Sequence, residues 1–486
     1  MIHHRFLFFL PALMALAFPE FPLHADDGGA VLTAREEVLL ERIEQLERRL
    51  AEVEARLEGA TVSPGATTDT SADVKMSTPT GKPAVAKPPE KADTGTDTPT
   101  PLWRNGLCFE SGNGAFQMKV GGRLHLDYAF VDQDGPLSRR FGPIFDTGEF
   151  RRARIRLQGT MYEHFDYRME FDFAGDGSGK FTDVWMQMGN IPFVGTFKAG
   201  HFREPAGLDE QTSDDYLTFM ERNLATALLP GRNLGIMLQN TLFDKRLGWT
   251  LGAFKEVGAF PGPQDAANGY AYTGRITGLP WYRDDGRQLL HLGLSYSRRL
   301  PDGGSIGYQT RPEIHLVSNY LNTEIYRGFR LRDANVDKED LINLEAAWVF
   351  GAFSLQGEYV RDRIETRLDG SPVLSGAYLE ASYFLTGEHR VYNRSSATFD
   401  RVVPHHNFSP KSSSGWGAWQ LALRRSRLDL NSGAIKGGEA DNWTLGLNWY
   451  LNPNVRLILN YVISEIDHDL YSGRVNSLQT RLQFNF

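Results

Sequence analysis

The amino-acid sequence predicts an all-β protein, a transmembrane antiparallel β-barrel of about 16 strands, with about 18 as the next even number. From residue 116 onward, apolar and polar side chains alternate with the period of two that β-strands require. The chain is polar overall, with a mean hydropathy of -0.37, yet 12% of its residues are aromatic, as expected of a wet lumen and aromatic girdles. After residue 25, no apolar stretch is long enough to cross a bilayer as a helix, so membrane strands would have to close into a barrel.

Residues 1–25 have the pattern of a secretory signal peptide. A weakly basic start is followed by an apolar stretch over residues 6–18 and by Leu23-His24-Ala25. These roughly 13 apolar residues fall short of the ~20 that a membrane-spanning helix needs. We therefore expect the chain to be exported.

Residues 26–59 are predicted to form a short coiled coil. Apolar side chains recur at heptad spacing, with Ile43, Leu50 and Leu57 at one core position and Leu39, Leu46 and Val53 at the other. The alternative is a lone amphipathic helix, but nothing adjacent in the sequence offers it a groove. Isoleucine with leucine at these positions favours two strands, in contrast to the trimer considered below.

Residues 60–101 are rich in Thr, Ser, Pro, Ala, Lys and Asp and contain almost no large apolar side chains. Such a segment cannot bury enough apolar surface to offset the entropy lost on ordering. It is predicted to be a disordered linker in front of the barrel, which we assign to residues 102–486.

The segment EFRRARIRLQGTM (149–161) indicates which strand face points inward. Arg152, Arg154 and Arg156 alternate with apolar residues. An arginine facing lipid at the bilayer midplane costs ~2 to 4 kcal/mol, so we predict that these three side chains line the lumen. The alternation over residues 116–130 places Arg123 on the same inner face.

The number of alternating segments in the sequence is odd. Counting the alternating segments gives about 17, whereas a closed antiparallel bacterial barrel has an even number. The parity breaks between residues 300 and 340, where either 310–318 is not a strand or IYRGFRL (325–331) is a further one.

One long connection interrupts the strands. Residues 203–233 run without alternation and combine apolar side chains, such as Tyr216, Leu217 and Phe219, with charged ones. Loops of this length are usually functional or disordered. We expect this one to fold inward against the lumen wall.

The chain ends on RVNSLQTRLQFNF (474–486), in which Leu478, Thr480, Leu482, Phe484 and Phe486 share one face. A strand that ends on an aromatic residue is similar to the carboxy-terminal strand of bacterial outer-membrane barrels. Together with the alternation along the rest of the chain, this similarity predicts a barrel of the bacterial outer membrane. We expect the amino-terminal arm to lie in the periplasm.

Charge and cysteine content exclude several classes. A net charge of -8 argues against a nucleic-acid-binding protein, which needs a basic surface to neutralise phosphates. Cys108 is the single cysteine, which excludes a disulfide framework and a cysteine-based zinc site. We expect neither a cofactor nor a metal site.

Several stretches resemble the phosphate-selective porin O and P family. They are EFRRARI (149–155), KFTDVWMQMGN (180–190), GHFREPAGLDEQTS (200–213), YLEASYFLTGE (378–388), GAWQLALRRSRLDL (417–430) and LGLNWYLNPNVRLILNYV (445–462). The resemblance extends over nearly all of residues 115–486. It implies a trimer of sixteen-stranded barrels with an inward loop, made anion-selective by a ladder of lumenal arginines and a lysine cluster near an acidic residue.

The resemblance also suggests particular residues. Arg151 and Arg152 match its arginine pair directly, and Asp183 in KFTD is the candidate acidic residue at the constriction. The place of the lysine cluster stays open. The remaining candidates for the anion path are Lys198, Arg203 and Arg222, which lie at the start of the long loop or within it.

These features favour a passive channel for small hydrophilic solutes, with anions such as phosphate the expected solutes. The alternative role for the arginines is to pair with lumenal acids and stiffen the wall. The alternative function is an envelope-tethering structural barrel with a general, weakly selective pore, whose coiled coil contacts the cell wall. Outer-membrane lipid and a homotrimer are the expected partners.

We do not expect an enzyme. His405, His406 and 412–414 could group in one loop, but no spaced acid or nucleophile motif accompanies them. GDGSGK (175–180) lacks the spacing of a phosphate-binding P-loop and is typical of a glycine-rich hairpin tip.

Overall fold

The strands form because residues of alternating polarity can turn one face to lipid and the other to the lumen. The computed structural model describes residues 100–103, 106–175, 179–257, 269–302, 306–324, 335–367, 371–411 and 415–486. The predicted signal peptide and coiled coil, nearly all of the predicted linker, and 325–331 and 412–414 lie outside the described residues. Within them, no helix is both long and apolar enough to cross a bilayer.

The described strands, in chain order, are β1 Thr100–Trp103, β2 Leu107–Glu110, β3 Phe116–Gln133, β4 Thr147–Met161, β5 Phe165–Asp172, β6 Lys180–Ile191, β7 Gly195–Arg203, β8 Arg232–Leu242, β9 Leu247–Lys255, β10 Tyr270–Arg283, β11 Gln288–Leu300, β12 Gln309–Thr310, β13 Leu321–Asn322, β14 Val336–Phe350, β15 Phe353–Thr366, β16 Val373–Phe384, β17 Tyr392–Asn393, β18 Thr398–Phe399, β19 Ala418–Ser432, β20 Ile435–Asn452, β21 Val455–His468 and β22 Tyr471–Asn485. The helices described in the connections are two short α-helices, α1 (Gly135–Phe141) and α2 (Leu208–Gln211), and two 3-10 helices (Leu224–Leu228 and Asp284–Gly286).

The main sheet of the described chain holds 18 strands, of which β1 and β2 form a hairpin beside the wall and the other sixteen close the barrel. Neighbouring wall strands are antiparallel and consecutive in order, apart from the short bridges β12, β13, β17 and β18 in the loops. Closure occurs where β22 pairs with β3, from Val475 opposite Gln133 to Asn485 opposite Arg123. The prediction of an all-β barrel of about 16 strands is confirmed.

Of the two alternatives for the odd strand count, the structure agrees with the one in which 310–318 is not a wall strand. Gln309–Thr310 only bridges Leu321–Asn322, and the residues between them form part of a connection that folds into the lumen. Ile314 is 0% exposed and Val317 6% exposed. The alternation in this segment therefore arises from packing inside the barrel, not from a face turned to lipid.

The two rims of the barrel differ. One rim, the short-turn end, carries tight connections such as 351–352 and 453–454, while the other, the long-loop end, carries the connections 134–146 and 204–231. The connection between β16 and β19, residues 385–417, is an exception because it is long and lies at the short-turn end.

The chain ends at the seam of the barrel. Phe486 and Gly122 exchange two backbone hydrogen bonds, of 2.9 and 3.0 Å. Beyond this point β2 takes over as the partner of β3, with Leu107 opposite Val120. The ring of Trp103 stacks on that of Phe486, with 6.4 Å between their centroids.

Glu313 connects three parts of the structure inside the barrel. Its carboxylate accepts hydrogen bonds from the backbone N–H of Leu224 at 3.2 Å, from Arg424 at 2.6 Å and from Thr444 at 2.9 Å, and also from Ser426. It therefore joins the connection after β11 to the inward loop and to the wall strands β19 and β20.

We predict that Glu313→Gln strongly destabilises the barrel. Breaking a buried ion pair by removing one partner costs about 3 to 5 kcal/mol, because the other charge stays buried without compensation. The temperature at which the folded band disappears in semi-native gel electrophoresis measures the effect. Glu465→Gln is the matched control, since Glu465 is 64% exposed in its pair with Arg474; equal shifts for the two variants would contradict the role of Glu313.

Candidate functional site

Strand parity turns the arginines of β4 into the lumen. Ile155, on the outer face, is 54% exposed, whereas Arg152 is 4% exposed. The side chains of Arg154 and Arg156 are 8% and 15% exposed. The predicted inward orientation of these arginines agrees with the structure.

A β-bulge adds Arg151 to the inner face. His125 of β3 lies opposite Arg152, but the next residue, Leu126, lies opposite Phe150, so Arg151 is the extra residue. Such an insertion locally changes which way the side chains point. Arg151 therefore faces the lumen beside Arg152, and its guanidinium donates two hydrogen bonds of 2.9 Å to Glu221.

The predicted inward loop is present at residues 204–231, between β7 and β8. Its backbone is held by the far wall of the barrel: Arg456 of β21 donates to the carbonyls of Leu217 and Thr218, at 2.7 and 2.8 Å. Gln483 of β22 donates to the carbonyl of Asp215 at 2.9 Å. The loop thus crosses the lumen and narrows it.

The same loop is anchored to β15 at its beginning. Glu358 accepts hydrogen bonds from the backbone N–H groups of Leu208 and Asp209, at 2.9 and 2.7 Å. The preceding Gly207 has a φ of 76°, and a Cβ there would lie 2.4 Å from a methyl group of Leu229. A glycine is required at this sharp entry into the lumen.

Asp214, within the loop, is the centre of an arginine cluster. Its carboxylate lies 3.0 Å from Arg152, 3.2 Å from Arg154 and 3.2 Å from Arg203, and it also accepts a short hydrogen bond from Arg222. Burial by itself would raise the pKa of Asp214, but the surrounding guanidinium groups outweigh burial and hold the pKa well below its usual value. The loop therefore carries a fixed negative charge that neutralises this part of the arginine ladder.

A second segment enters the lumen from the short-turn end. In the connection 385–417, the bridge between β17 and β18 brings Tyr392 within 2.7 Å of His291, and Arg390 within 3.1 Å of Glu380. The carbonyl of Ala397 accepts a hydrogen bond of 3.1 Å from Arg275. This inward fold was not predicted from the sequence, where Tyr392 and Phe399 within a polar stretch were the available signal.

Between the two inward segments and the wall formed by β3–β10 lies a cavity of about 540 Å³. Seven of its lining side chains are cationic and two are acidic. The cationic residues are Arg123, Arg156, Arg168, Lys198, Arg203, Arg232 and Arg275, and the acidic ones are Asp183 and Asp400.

Part of this positive charge is neutralised. Asp183 lies 3.0 Å from Arg232 and 3.8 Å from Arg168. Arg275 pairs with Glu345 at 2.7 Å.

Other cations of the cavity are less neutralised. The nearest carboxylate to Arg156, that of Glu170, is 3.9 Å away. Among the described residues, no carboxylate pairs with Lys198, whose Nζ lies 4.0 Å from the ring centre of Trp185 and 4.7 Å from that of Phe202. The Nε atoms of Arg156 and Arg168 have no hydrogen-bond partner among the described residues.

The structure divides the sequence-predicted site residues into two groups. Arg123, Arg156, Lys198, Arg203 and Asp183 line the cavity. The second group, Arg151, Arg152, Arg154 and Arg222, does not line it and is engaged by acidic residues of the inward loop. Arg123 and Arg203 of the first group also pair with the loop, at 3.4 Å from Asp215 and 3.2 Å from Asp214.

Arg168, Arg232 and Arg275 were not singled out from the sequence. Arg168 was on the polar face of its segment, but parity alone does not say which inward residues reach the open space. Lys198 is the one lysine among the described residues that line the cavity. No group of three or more His, Cys, Asp or Glu within the described ranges could hold a metal ion.

We predict that Asp214→Asn loosens the inward loop. The substitution leaves several buried guanidinium groups without their shared counter-charge, at a cost of about 3 to 5 kcal/mol. Single-channel conductance in planar bilayers should rise and thermal stability should fall. Asp244→Asn, at an 81% exposed partner of Arg394, is the control, and an unchanged conductance for Asp214→Asn would refute the anchoring role.

The loop should also stay docked in mild acid. A carboxylate whose folded-state pKa is depressed contributes its full stability above the unfolded pKa, and this contribution is lost only as the pH falls toward the folded-state pKa. Burial alone would raise the pKa of Glu221. The guanidinium groups of Arg151 and Arg481 outweigh burial, so that the pKa lies well below its usual value, as it does for Asp214. We expect the same conductance at pH 7 and at about pH 4.5, near the ordinary carboxylate value, and a higher one only in stronger acid; a rise already at pH 6 would contradict this.

Comparison with known proteins places this fold among outer-membrane channels. The family model described as phosphate-selective porin O and P matches residues 118–486. Porin O of Pseudomonas aeruginosa is 26% identical over 417 residues, which cover 79% of this chain and 91% of that protein. A protein of Caulobacter vibrioides is 29% identical over 478 residues, covering 92% of this chain and 90% of that one.

The solved structures that the chain is similar to include outer-membrane channels of low sequence identity. The anion-selective porin from Comamonas acidovorans has a TM-score of 0.48 and 14% identity, covering 76% of this chain and 100% of that one. The outer-membrane channel DcaP of Acinetobacter baumannii has a TM-score of 0.47 and 10% identity, covering 78% and 99%. Because the family model matches nearly the whole barrel, the chain belongs to the phosphate-selective porin O and P family: it is a channel of the bacterial outer membrane and not an enzyme.

Proposed function

We propose that the barrel conducts small anions such as phosphate by passive diffusion through its cationic cavity. The observation that carries this proposal is the excess of cations in the cavity, where seven cationic side chains face two acidic ones. A cleft lined by one sign of charge between low-dielectric walls raises the local concentration of ions of the opposite sign. The acidic net charge of the whole chain does not oppose this, because selectivity depends on the field inside the lumen.

The cations available to a passing anion lie on neighbouring strands. Trp185 of β6 is paired with Arg168 of β5, and the guanidinium of Arg168 lies 5.6 Å from its ring centre. Lys198 of β7 contacts the same ring at 4.0 Å. Trp185 therefore holds two cations by cation-π contact, which positions them without neutralising their charge.

Arginine and lysine offer an anion different contacts. A guanidinium group can donate two parallel hydrogen bonds to a phosphate, whereas an ammonium group acts as a compact point charge. Arg156, Arg168 and Lys198 would supply several moderate sites in series, which permit release as well as entry. Asp183 limits the affinity of the cavity for anions, because it neutralises Arg232, whose guanidinium donates hydrogen bonds of 3.0 and 3.3 Å to its carboxylate.

The alternative role of the arginines, which is to pair with lumenal acids, applies to a different subset of them. Arg151, Arg152, Arg154 and Arg222 each have a carboxylate of the inward loop within 3.2 Å or less. Arg123 and Arg203 line the cavity but also pair with loop carboxylates, at 3.4 Å from Asp215 and 3.2 Å from Asp214. We assign the first four to holding the loop, and Arg156, Arg168 and Lys198 to the anion path.

The orientation and assembly belong to the same proposal. We place the short-turn end in the periplasm, where the chain enters the barrel at Thr100, and the long-loop end outside the cell. A homotrimer is the assembly we propose, with the periplasmic arm of residues 26–101 as a second, tethering element that could reach the cell wall. Deletion of that arm with separate measurement of conductance and envelope integrity distinguishes the two roles.

We predict that Arg156→Gln and Lys198→Gln each lower the preference for anions. A unit charge ~7 Å from an ion contributes roughly 0.6 kcal/mol even at the dielectric constant of water, so each loss should reduce the anion-to-cation permeability ratio at least about twofold. Reversal potentials in asymmetric potassium chloride measure the ratio, and competing phosphate and sulfate rank the anions.

Arg425→Gln is the matched control, because Arg425 lies on the outer surface of the barrel and is 54% exposed. It should leave the reversal potential unchanged. A cation-selective current through the unmodified protein would refute the anion path while leaving the channel itself intact.

A further inference from the structure

The lipid-facing surface changes from apolar to charged at one level near the long-loop end. Along the outer face of β15, Leu355, Gly357 and Tyr359 are followed by Arg361 and Arg363. Other wall strands change in the same way, as where Leu421 and Leu423 of β19 are followed by Arg425 and Arg427. In a membrane barrel such a change marks the boundary between the hydrocarbon and the lipid headgroups.

Most outward charges at this level are paired with each other. The pairs are Arg298–Asp340 at 2.9 Å, Arg425–Asp441 at 2.7 Å, Arg427–Glu439 at 2.5 Å, Arg474–Glu465 at 2.6 Å, Lys338–Glu365 at 3.1 Å and Arg367–Asp337 at 2.7 Å. These pairs leave little charge to attract an external ion.

Arg361 and Arg363 are different. Both are exposed, and neither has a carboxylate within ion-pair distance among the described residues. The cross-strand neighbours of Arg361 are Ile342 and Ser375, which carry no charge. Arg363 lies opposite Asp340, but that carboxylate is already occupied by Arg298 and by the hydroxyl of Tyr296.

An apolar dent lies beside these arginines, toward the middle of the membrane. Ala346 of β14 and Gly357 of β15 face each other directly across the strand pair and form its floor. The pairs on either side are bulky, with Leu344 opposite Tyr359 and Trp348 opposite Leu355. The dent has a volume of about 430 Å³, and Leu379 of β16 closes one flank.

The spacing between the dent and the arginines fits one membrane lipid. Gly357 and Arg361 are four residues apart on the same strand, about 13 Å at ~3.3 Å per residue. One leaflet contributes about half of the ~30 Å hydrocarbon thickness. A headgroup at Arg361 would therefore have its acyl chains at the level of the dent.

We propose that the outer face of β14–β16 binds one phosphorylated lipid of the leaflet at the long-loop end. A phosphate of its headgroup contacts Arg361 and Arg363, whose guanidinium groups match phosphate geometry, and an acyl chain fills the dent over Ala346 and Gly357. Charge complementarity selects an anionic lipid, since neither cation has a carboxylate within ion-pair distance in the described part of the chain. This site lies outside the barrel and is independent of the anion path in the lumen.

Native mass spectrometry of the purified full-length protein tests the proposal. The probes are a diphosphorylated acyl glycolipid of the lipid A type, the same lipid without its phosphates, and phosphatidylethanolamine. The unmodified protein should retain the diphosphorylated lipid in preference to the other two. Loss of Arg361 and Arg363 (Arg361→Gln with Arg363→Gln) should reduce this retention about tenfold, the change expected for loss of roughly one charge-assisted hydrogen bond.

Two further variants separate the headgroup from the acyl chain. Ala346→Leu fills the dent from an exposed position and should also reduce retention, with the folded band in semi-native gels unchanged. Arg425→Gln with Arg427→Gln removes two paired arginines at the same level and should leave retention unchanged. Equal loss in this control, equal binding of the dephosphorylated lipid, or a change of assembly mass caused by Ala346→Leu would overturn the proposal, the last by assigning the surface to a second copy of the chain.

Discussion

The lumen depends on charge compensation between an arginine-bearing wall and an acidic loop. Arginines on β4 and β22 cannot lose their charge, so their burial requires carboxylates nearby. Asp214 and Glu221 supply them from the loop that connects β7 and β8. Wall and loop therefore stabilise each other. Without the loop, the wall would bury unpaired arginines or expose them to water, and the same holds for the carboxylates of the loop without the wall.

This compensation gives arginines of one ladder two different roles. Those that pair with the loop away from the cavity act as structural partners, and cavity-lining arginines with weak pairing, such as Arg156, keep an electrostatic potential for solutes. Arg154 and Arg156 are separated by a single residue on the same strand, yet Arg154 lies 3.2 Å from Asp214 of the loop while Arg156 has its nearest carboxylate, that of Glu170 in the wall, at 3.9 Å. The course of one loop, more than the number of arginines, decides how much of the wall can attract anions.

The wall could be predicted from the sequence because lipid and water impose a strict period of two on it. The lumen could not be predicted to the same extent. Residues 310–318 showed the same alternation for a different reason, since Ile314 and Val317 pack against the inside of the barrel. The inward turn of Arg151 depends on a bulge that parity does not reveal, and only the resemblance to a family suggested that residue.

The candidate site was predictable in kind but not in membership. Inward parity correctly placed Arg123 and Arg156 on the lumen side, and it would place Arg168 and Arg275 there too. Which of them border open space depends on the positions that the two inward segments, 204–231 and 385–417, take in the lumen. Those positions are fixed by contacts between residues far apart in sequence, such as Arg456 with Leu217. A local sequence pattern does not predict such contacts.

The seam between β22 and β3 joins the two ends of the barrel region. Until Phe486 is in place, Gly122 lacks its backbone partner and Trp103 lacks the ring on which it stacks. Contacts of such large sequence separation form slowly, and an open seam presents two unpaired strand edges to other chains. Pairing of β22 with β3 thus removes both free edges and converts an open sheet into a closed cylinder.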